Sequence, residues 1–157
     1  MELNFKKFLF ADCIHGSMVW PTNDQIIGRC LSLYGEFAEG ENIIMSQFIS
    51  EGDTVIDIGA NIGYYSLMAA KFGATQVISF EPNEIVRSRF EFNSRQNNFS
   101  NIIDISPLAL GEKNGEATLM IPTNDLGGSS LVPNRDFEKS VSVKVKRLDD
   151  VLREKQI

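Results

Sequence analysis

The fold is decided by the stretch Thr54-Val55-Ile56-Asp57-Ile58-Gly59-Ala60-Asn61-Ile62-Gly63. Its first five residues form a short apolar, β-branched run, which is typical of a strand buried on both faces of a sheet. Gly59 to Gly63 then form a turn, because glycine adopts the positive φ angles that let a backbone approach a ligand closely. Asn61 fits the same turn, since asparagine tolerates the left-handed backbone region. The stretch therefore predicts a strand that turns into a helix, the place where open α/β sheets bind ligands.

Helices and strands alternate in the chain after this turn. The apolar spacing of residues 64–72 predicts a helix, and residues 76–80 predict a second strand. Asn83 is a suitable N-cap for a second helix, which precedes a third strand at residues 101–105. Strand-helix-strand-helix-strand at this spacing predicts right-handed crossovers and a parallel sheet, so the fold class is α/β.

The end of the chain differs from this core. Residues 117–121 and 141–145 alternate between apolar and polar positions, which predicts two antiparallel strands. The loop between them, Thr123 to Arg135, is rich in Gly, Ser, Pro and Asn. Residues 148–155 predict a short helix. Together with the core, this tail makes residues 53–157 one predicted ligand-binding domain.

The beginning of the chain is predicted as a helical lead-in over residues 1–52. Apolar side chains between Gly40 and Phe48 recur at helical spacing and predict an amphipathic helix that ends near Gly52.

Glu81 is the second element of the expected binding site. It ends the second strand, 24 positions after Asp57. An acidic residue about 20 positions after such a glycine turn typically accepts hydrogen bonds from a ribose hydroxyl pair. A structural explanation stays open for each residue, since Asp57 could cap the turn and Glu81 could merely end a strand. Their spacing within one βαβ unit favours the binding interpretation.

The glycine pattern bears on which nucleotide would bind. A dinucleotide site uses G-x-G-x-x-G, so that pyrophosphate sits on the helix N-terminus. Here Asn61 stands at the second glycine position and Tyr64 at the third. An adenosine ligand without phosphate, such as S-adenosylmethionine, fits better. An NAD-binding oxidoreductase is kept as the alternative.

Charge and composition argue against nucleic-acid binding, membrane insertion and metal binding. The net charge of −6 disfavours binding to nucleic acid. The apolar runs are far shorter than the roughly 18 residues of a membrane span, and a cytoplasmic location is expected. Cys13 and Cys30 lack a C-x-x-C pattern, so we expect reduced thiols and no metal site. His15, the single histidine, has no supporting partner nearby in sequence and is expected to pack or lie at the surface. No catalytic base is assigned.

Several segments resemble the FkbM family of S-adenosylmethionine-dependent methyltransferases. Residues 52–66 resemble its first motif, and Phe80-Glu81-Pro82 resembles its second-strand motif. Further similar segments are Tyr34-Gly35-Glu36-Phe37, Ala109-Leu110-Gly111, Gly127-Gly128-Ser129-Ser130-Leu131 and the run from Val145 to Leu152, and Asn93 stands where the family commonly has asparagine.

The resemblance implies a Rossmann-like class I methyltransferase fold and S-adenosylmethionine as cofactor. It also implies methylation of an oxygen on a small molecule or sugar. By position, the methionine end of the cofactor would be surrounded by Asp57, Gly59, Ala60, Asn61 and Gly63.

The nucleoside half of the cofactor is assigned in the same way. Glu81 would hold the ribose, while Pro82 and Asn83 would lie beside the adenosine. Leu108 and Ala109 would border the base. Glu36, from the upstream segment, completes the set.

The family continues after the Leu148 to Leu152 segment with a strand that ends in an Asp-Val-Glu-Gly type motif, and this chain ends before it. We therefore expect the N-terminal half of the doubly wound sheet plus an antiparallel hairpin. We expect the open edge of the first strand to be covered by a missing segment, by a swapped one or by a partner chain, such as a second copy in a homo-oligomer. The isolated chain is expected to have weak or no activity, and a non-catalytic fragment is the second alternative.

Overall fold

The computed structural model describes residues 8–122, 128–132, 137 and 139–157. Residues 1–7 of the lead-in, Gly127 and most of the loop Thr123 to Arg135 therefore lie outside the described residues. The strands are β1 (Phe8–Cys13), β2 (Gly16–Pro21), β3 (Thr54–Ile58), β4 (Gln76–Phe80), β5 (Ile103–Ser106), β6 (Ala109–Leu110), β7 (Gly115–Ile121) and β8 (Lys139–Lys146). The helices are α1 (Ile27–Tyr34), α2 (Glu39–Phe48), α3 (Tyr64–Lys71), α4 (Glu84–Gln96) and α5 (Leu148–Lys155).

The central sheet is parallel and has the order β3-β4-β5. Its strands are the three that the sequence predicts, and α3 and α4 are the predicted connecting helices. The side chain of Asn83 caps α4 by accepting a hydrogen bond from the Ile85 backbone N–H at 3.0 Å. The predicted α/β fold class is confirmed.

A second sheet follows, in the order β6-β8-β7. β7 and β8 form the predicted antiparallel pair, with Gly115 opposite Val145 and Ile121 opposite Lys139. β6 adds a short parallel strand that the sequence did not reveal. The inner face of this sheet has its own apolar core, which includes Ala109, Leu119 and Val143. The predicted short helix at the end of the chain is α5.

The prediction of a helical lead-in is wrong over its first half, where β1 and β2 form an antiparallel hairpin. The cause is a contact that is distant in sequence. The side chain of Asn93, on α4, accepts from the Val19 N–H at 2.7 Å and donates to the Val19 carbonyl. One helical turn later, Asn97 makes the same two bonds with Ser17. The side chains of two asparagines thus make the backbone hydrogen bonds that a neighbouring strand would make with β2. No local sequence pattern predicts these bonds.

The second half of the lead-in is helical. α2 lies where the sequence predicts a helix, although it ends at Phe48 and not near Gly52. Among the described residues, no helix is both long enough and apolar enough to cross a membrane.

Candidate functional site

The glycine turn lies where β3 gives way to α3. Gly59, Asn61 and Gly63 all have positive φ angles, of 78°, 52° and 86°, so the asparagine takes up the left-handed backbone that the sequence suggests. The backbone N–H groups of Gly59 and Ala60 both donate to the Phe80 carbonyl at the end of β4, at 2.9 and 3.0 Å. These bonds hold the turn against the neighbouring strand.

The two terminal glycines of the turn have different surroundings. A Cβ atom on Gly63 would lie 1.9 Å from Cδ2 of Phe90, so this glycine permits close packing of the turn on α4. A Cβ atom on Gly59 would meet no atom within 4 Å. Gly59 therefore borders open space.

Glu81 converges on the turn from the next strand. One carboxylate oxygen, Oε2, accepts a hydrogen bond from the Asn61 N–H at 2.8 Å, and Oε1 accepts from the Asn83 N–H at 2.7 Å. Burial, with Glu81 only 6% exposed, raises the pKa of its carboxyl, and these two N–H groups oppose the rise. The predicted meeting of the glycine turn and the acidic residue is thus present in the structure.

Asp57 is the penultimate residue of β3 and lies just before the glycine turn. Its Oδ2 accepts from the Ser66 hydroxyl at 2.6 Å, and Ser66 in turn contacts Ser79 at 2.8 Å. Burial raises the pKa of Asp57, while the hydrogen bond with Ser66 acts in the opposite direction. Ser66 and Ser79 are polar groups of this region that the sequence analysis did not single out.

Three predicted residues on the nucleoside side share one cavity. Pro82, Asn83 and Leu108 line a space of about 410 Å³ whose opposite wall comes from β7 and β8. This volume falls within the usual range of ligand pockets, roughly 300–1,000 Å³. Ala109 behaves differently, because its side chain is buried in the core of the second sheet.

Glu36 belongs to a separate polar group, here called the His15 cluster: His15, Glu36, Asn42 and Tyr64. The Asn42 amide nitrogen lies 3.2 Å from Glu36 Oε2, 2.8 Å from the Tyr64 hydroxyl and 3.3 Å from His15 Nε2. Tyr64 directly follows Gly63, so the cluster is attached to the far end of the glycine turn. His15 is 8% exposed, as a packing role requires, but it does have polar partners. These partners could not be predicted from the sequence, because they come from segments distant from His15 in the chain.

The part of the chain that the structure describes holds no cluster of three or more His, Cys, Asp or Glu side chains that is arranged for a metal ion.

A parallel sheet with a glycine turn after one strand and a carboxylate after the next defines the class of the protein, a Rossmann-like nucleoside-binding α/β protein. The family is more particular. The model of the methyltransferase FkbM domain matches residues 57–157, and the chain belongs to this family. The family match confirms the resemblance found in the sequence and decides against the oxidoreductase alternative.

Two relatives are ribosomal protein L11 methyltransferases. The one from Bacillus cereus is 31% identical over 68 residues, which cover 43% of this chain and 22% of that protein. The one from Thermotoga petrophila is 30% identical over 77 residues, which cover 49% of this chain and 29% of that protein. The chain thus matches less than a third of the length of either relative.

A solved structure with the same fold is that of Pyrococcus horikoshii TYW2 in complex with MeSAdo. It aligns with a TM-score of 0.52 and 13% identity, over 73% of this chain and 53% of that chain. The likeness bears on the fold, and it supports the predicted class I methyltransferase architecture.

Proposed function

We propose that this chain binds S-adenosylmethionine in the crevice between the glycine turn and Glu81. The observation that carries the proposal is the hydrogen bond from the Asn61 N–H to Glu81 Oε2, at 2.8 Å. This bond supports the proposal because it joins the glycine turn directly to the carboxylate of Glu81.

The residues present fit the ribose. A carboxylate can accept about four hydrogen bonds through its two oxygens. Two of the Glu81 positions are used by the N–H groups of Asn61 and Asn83. Two positions are left, one for each hydroxyl of a ribose cis-diol. Glu81 can therefore organise the turn and hold the nucleoside at the same time.

The turn fits the amino acid end of the cofactor. Asn61 Oδ1 is buried and has no hydrogen-bond partner among the described residues, and a buried acceptor of this kind costs free energy until a donor reaches it. The ammonium group of the methionine part is such a donor. Asp57 supplies a nearby negative charge, and Gly59 leaves the space open.

Bound S-adenosylmethionine supplies an activated methyl group on its sulfonium. We propose that the whole protein transfers this group to an oxygen of a small molecule or sugar. The residues of this chain then act by orienting the cofactor, and such orientation lowers the activation barrier of the transfer. The net charge of −6 supports a small acceptor over a polyanionic one.

Isothermal titration calorimetry with S-adenosylhomocysteine tests the binding proposal. We expect binding in the micromolar range, no heat with NAD, and at least a tenfold loss of affinity in Glu81→Ala. Binding of NAD in place of S-adenosylhomocysteine would contradict the proposal.

Incubation with methyl-labelled S-adenosylmethionine and a panel of sugars and hydroxylated small molecules tests the acceptor class. The label is expected in a base-stable ether. Label that appears in RNA or protein and in no small molecule would overturn this part of the proposal.

A further inference from the structure

The segment of residues 128–132 connects the second sheet to the proposed cofactor crevice. Ser130 and Met120, which lies on β7, exchange two backbone hydrogen bonds of 2.8 and 3.0 Å. The neighbouring residue, Ser129, lies beside the N-terminal end of α4. There the Asn83 side-chain amide donates to the Ser129 hydroxyl oxygen at 3.1 Å.

Asn83 makes three hydrogen bonds at this junction. Its backbone N–H donates to Glu81 Oε1 at 2.7 Å, and its side-chain oxygen accepts from the Ile85 N–H at the start of α4. Its amide nitrogen reaches Ser129. The residue is 1% exposed, so water does not readily replace a lost partner. The orientation of the Asn83 backbone N–H toward the carboxylate therefore depends on the side-chain bonds at both ends.

We infer that Ser129 is a positioning residue for the ribose-binding carboxylate. This inference rests on the proposed function. Ser129 acts through Asn83: its hydroxyl fixes the Asn83 amide, and the Asn83 N–H fixes one oxygen of Glu81. The Asn61 N–H fixes the other oxygen. The two remaining acceptor positions of the carboxylate then point in one defined direction, which is what recognition of a cis-diol requires. Through this series of hydrogen bonds the second sheet takes part in cofactor binding.

The test compares three variants of the full chain by calorimetry with S-adenosylhomocysteine and by thermal unfolding without ligand. Ser129→Ala is expected to weaken binding about fivefold, the size of one neutral hydrogen bond. Ser129→Thr keeps the hydroxyl and is expected to restore the affinity. Ser130→Ala is the matched control, because the Ser130 hydroxyl accepts from the Val132 N–H and not from Asn83. It is expected to bind like the unmodified chain.

A second comparison separates positioning from stability. Asn83→Ser keeps an N-cap for α4 but removes the amide donor. In that background, Ser129→Ala is expected to cause no further loss of affinity, since the two residues act through one bond. If Ser129→Ala binds S-adenosylhomocysteine as tightly as the unmodified chain, the inference is overturned while the proposed function stands. This holds even if the unfolding temperature of the variant is lower. Failure of the unmodified chain to bind S-adenosylhomocysteine would overturn both.

Discussion

The glycine turn and the His15 cluster are neighbours, since Tyr64 of the cluster directly follows Gly63 of the turn, and they are built in different ways. The turn is assembled from β3, β4 and the backbone between them, within one βαβ unit. The cluster joins His15, Glu36 and Asn42 to Tyr64 from three separate segments. The turn depends on backbone conformation, and the cluster depends on side-chain hydrogen bonds. This difference decides what a mutation at each place should cost.

The largest effect is expected from Gly63→Ala in the turn. Its φ of 86° and the 1.9 Å approach of a new Cβ to Phe90 add backbone strain to overpacking. We expect a loss of about 3–4 kcal/mol in the free energy of unfolding, measured with urea. Gly59→Ala is the control, since its Cβ would meet nothing, and a loss of about 1 kcal/mol is expected from φ alone. Similar losses for both glycines would show that packing on Phe90 is not what matters.

A smaller effect is expected from Asn42→Ala in the cluster. Asn42 is 4% exposed, and its loss leaves the Tyr64 hydroxyl and the Phe37 carbonyl without this donor. The free energy of unfolding should fall by about 2 kcal/mol. Ser46→Ala, at an exposed position on the same helix, should change it by less than about 0.5 kcal/mol. Urea titrations that fail to separate the two variants would argue against the cluster.

The next effect concerns pH. Burial lowers the pKa of His15 below its usual value of 6.5, helped by Lys71 and opposed by Glu36. The unfolded chain then binds this proton first, so stability is complete above pH 6.5 and falls as the pH drops toward the folded-state pKa. Unfolding curves between pH 5 and 8 should show this one-proton loss in the unmodified chain and not in His15→Gln. An equal pH response in both proteins would contradict the assignment.

The smallest effect is expected at the open edge of β3, which carries the glycine turn. In the described sheet this strand pairs only with β4, and Ile58 is 59% exposed. Unpaired strand edges promote association. We therefore propose that a second copy of the chain covers the open edge of β3. Light scattering after gel filtration should give a weak dimer that Ile58→Lys dissociates. A monomer at all concentrations tested would contradict this proposal.

The same contrast explains what could be predicted from the sequence. The strands and helices of residues 54–106 and the antiparallel pair of β7 and β8 follow from apolar spacing. The convergence of Glu81 with Asn61 follows from parallel strands meeting at one edge. Asn61 could be placed in the left-handed backbone region because asparagine is one of the few residues other than glycine that tolerate it.

Other features could not be predicted because they depend on distant partners. Backbone N–H groups of β2, in the β1-β2 hairpin, donate to the side chains of Asn93 and Asn97, more than 70 positions away. The environment of His15 and the bond between Asn83 and Ser129 arise in the same way. Ala109, which the resemblance assigns to the base, has its side chain in the core of the second sheet. This position results from the pairing of β6 with β8, a strand much further along the chain.

A crystal structure of the chain with S-adenosylhomocysteine tests the central claim most directly. We predict that both ribose hydroxyls lie within hydrogen-bonding distance of the Glu81 carboxylate while the Asn61 N–H keeps its bond to the same group. A nucleoside bound elsewhere, with Glu81 contacting only backbone, would contradict the account.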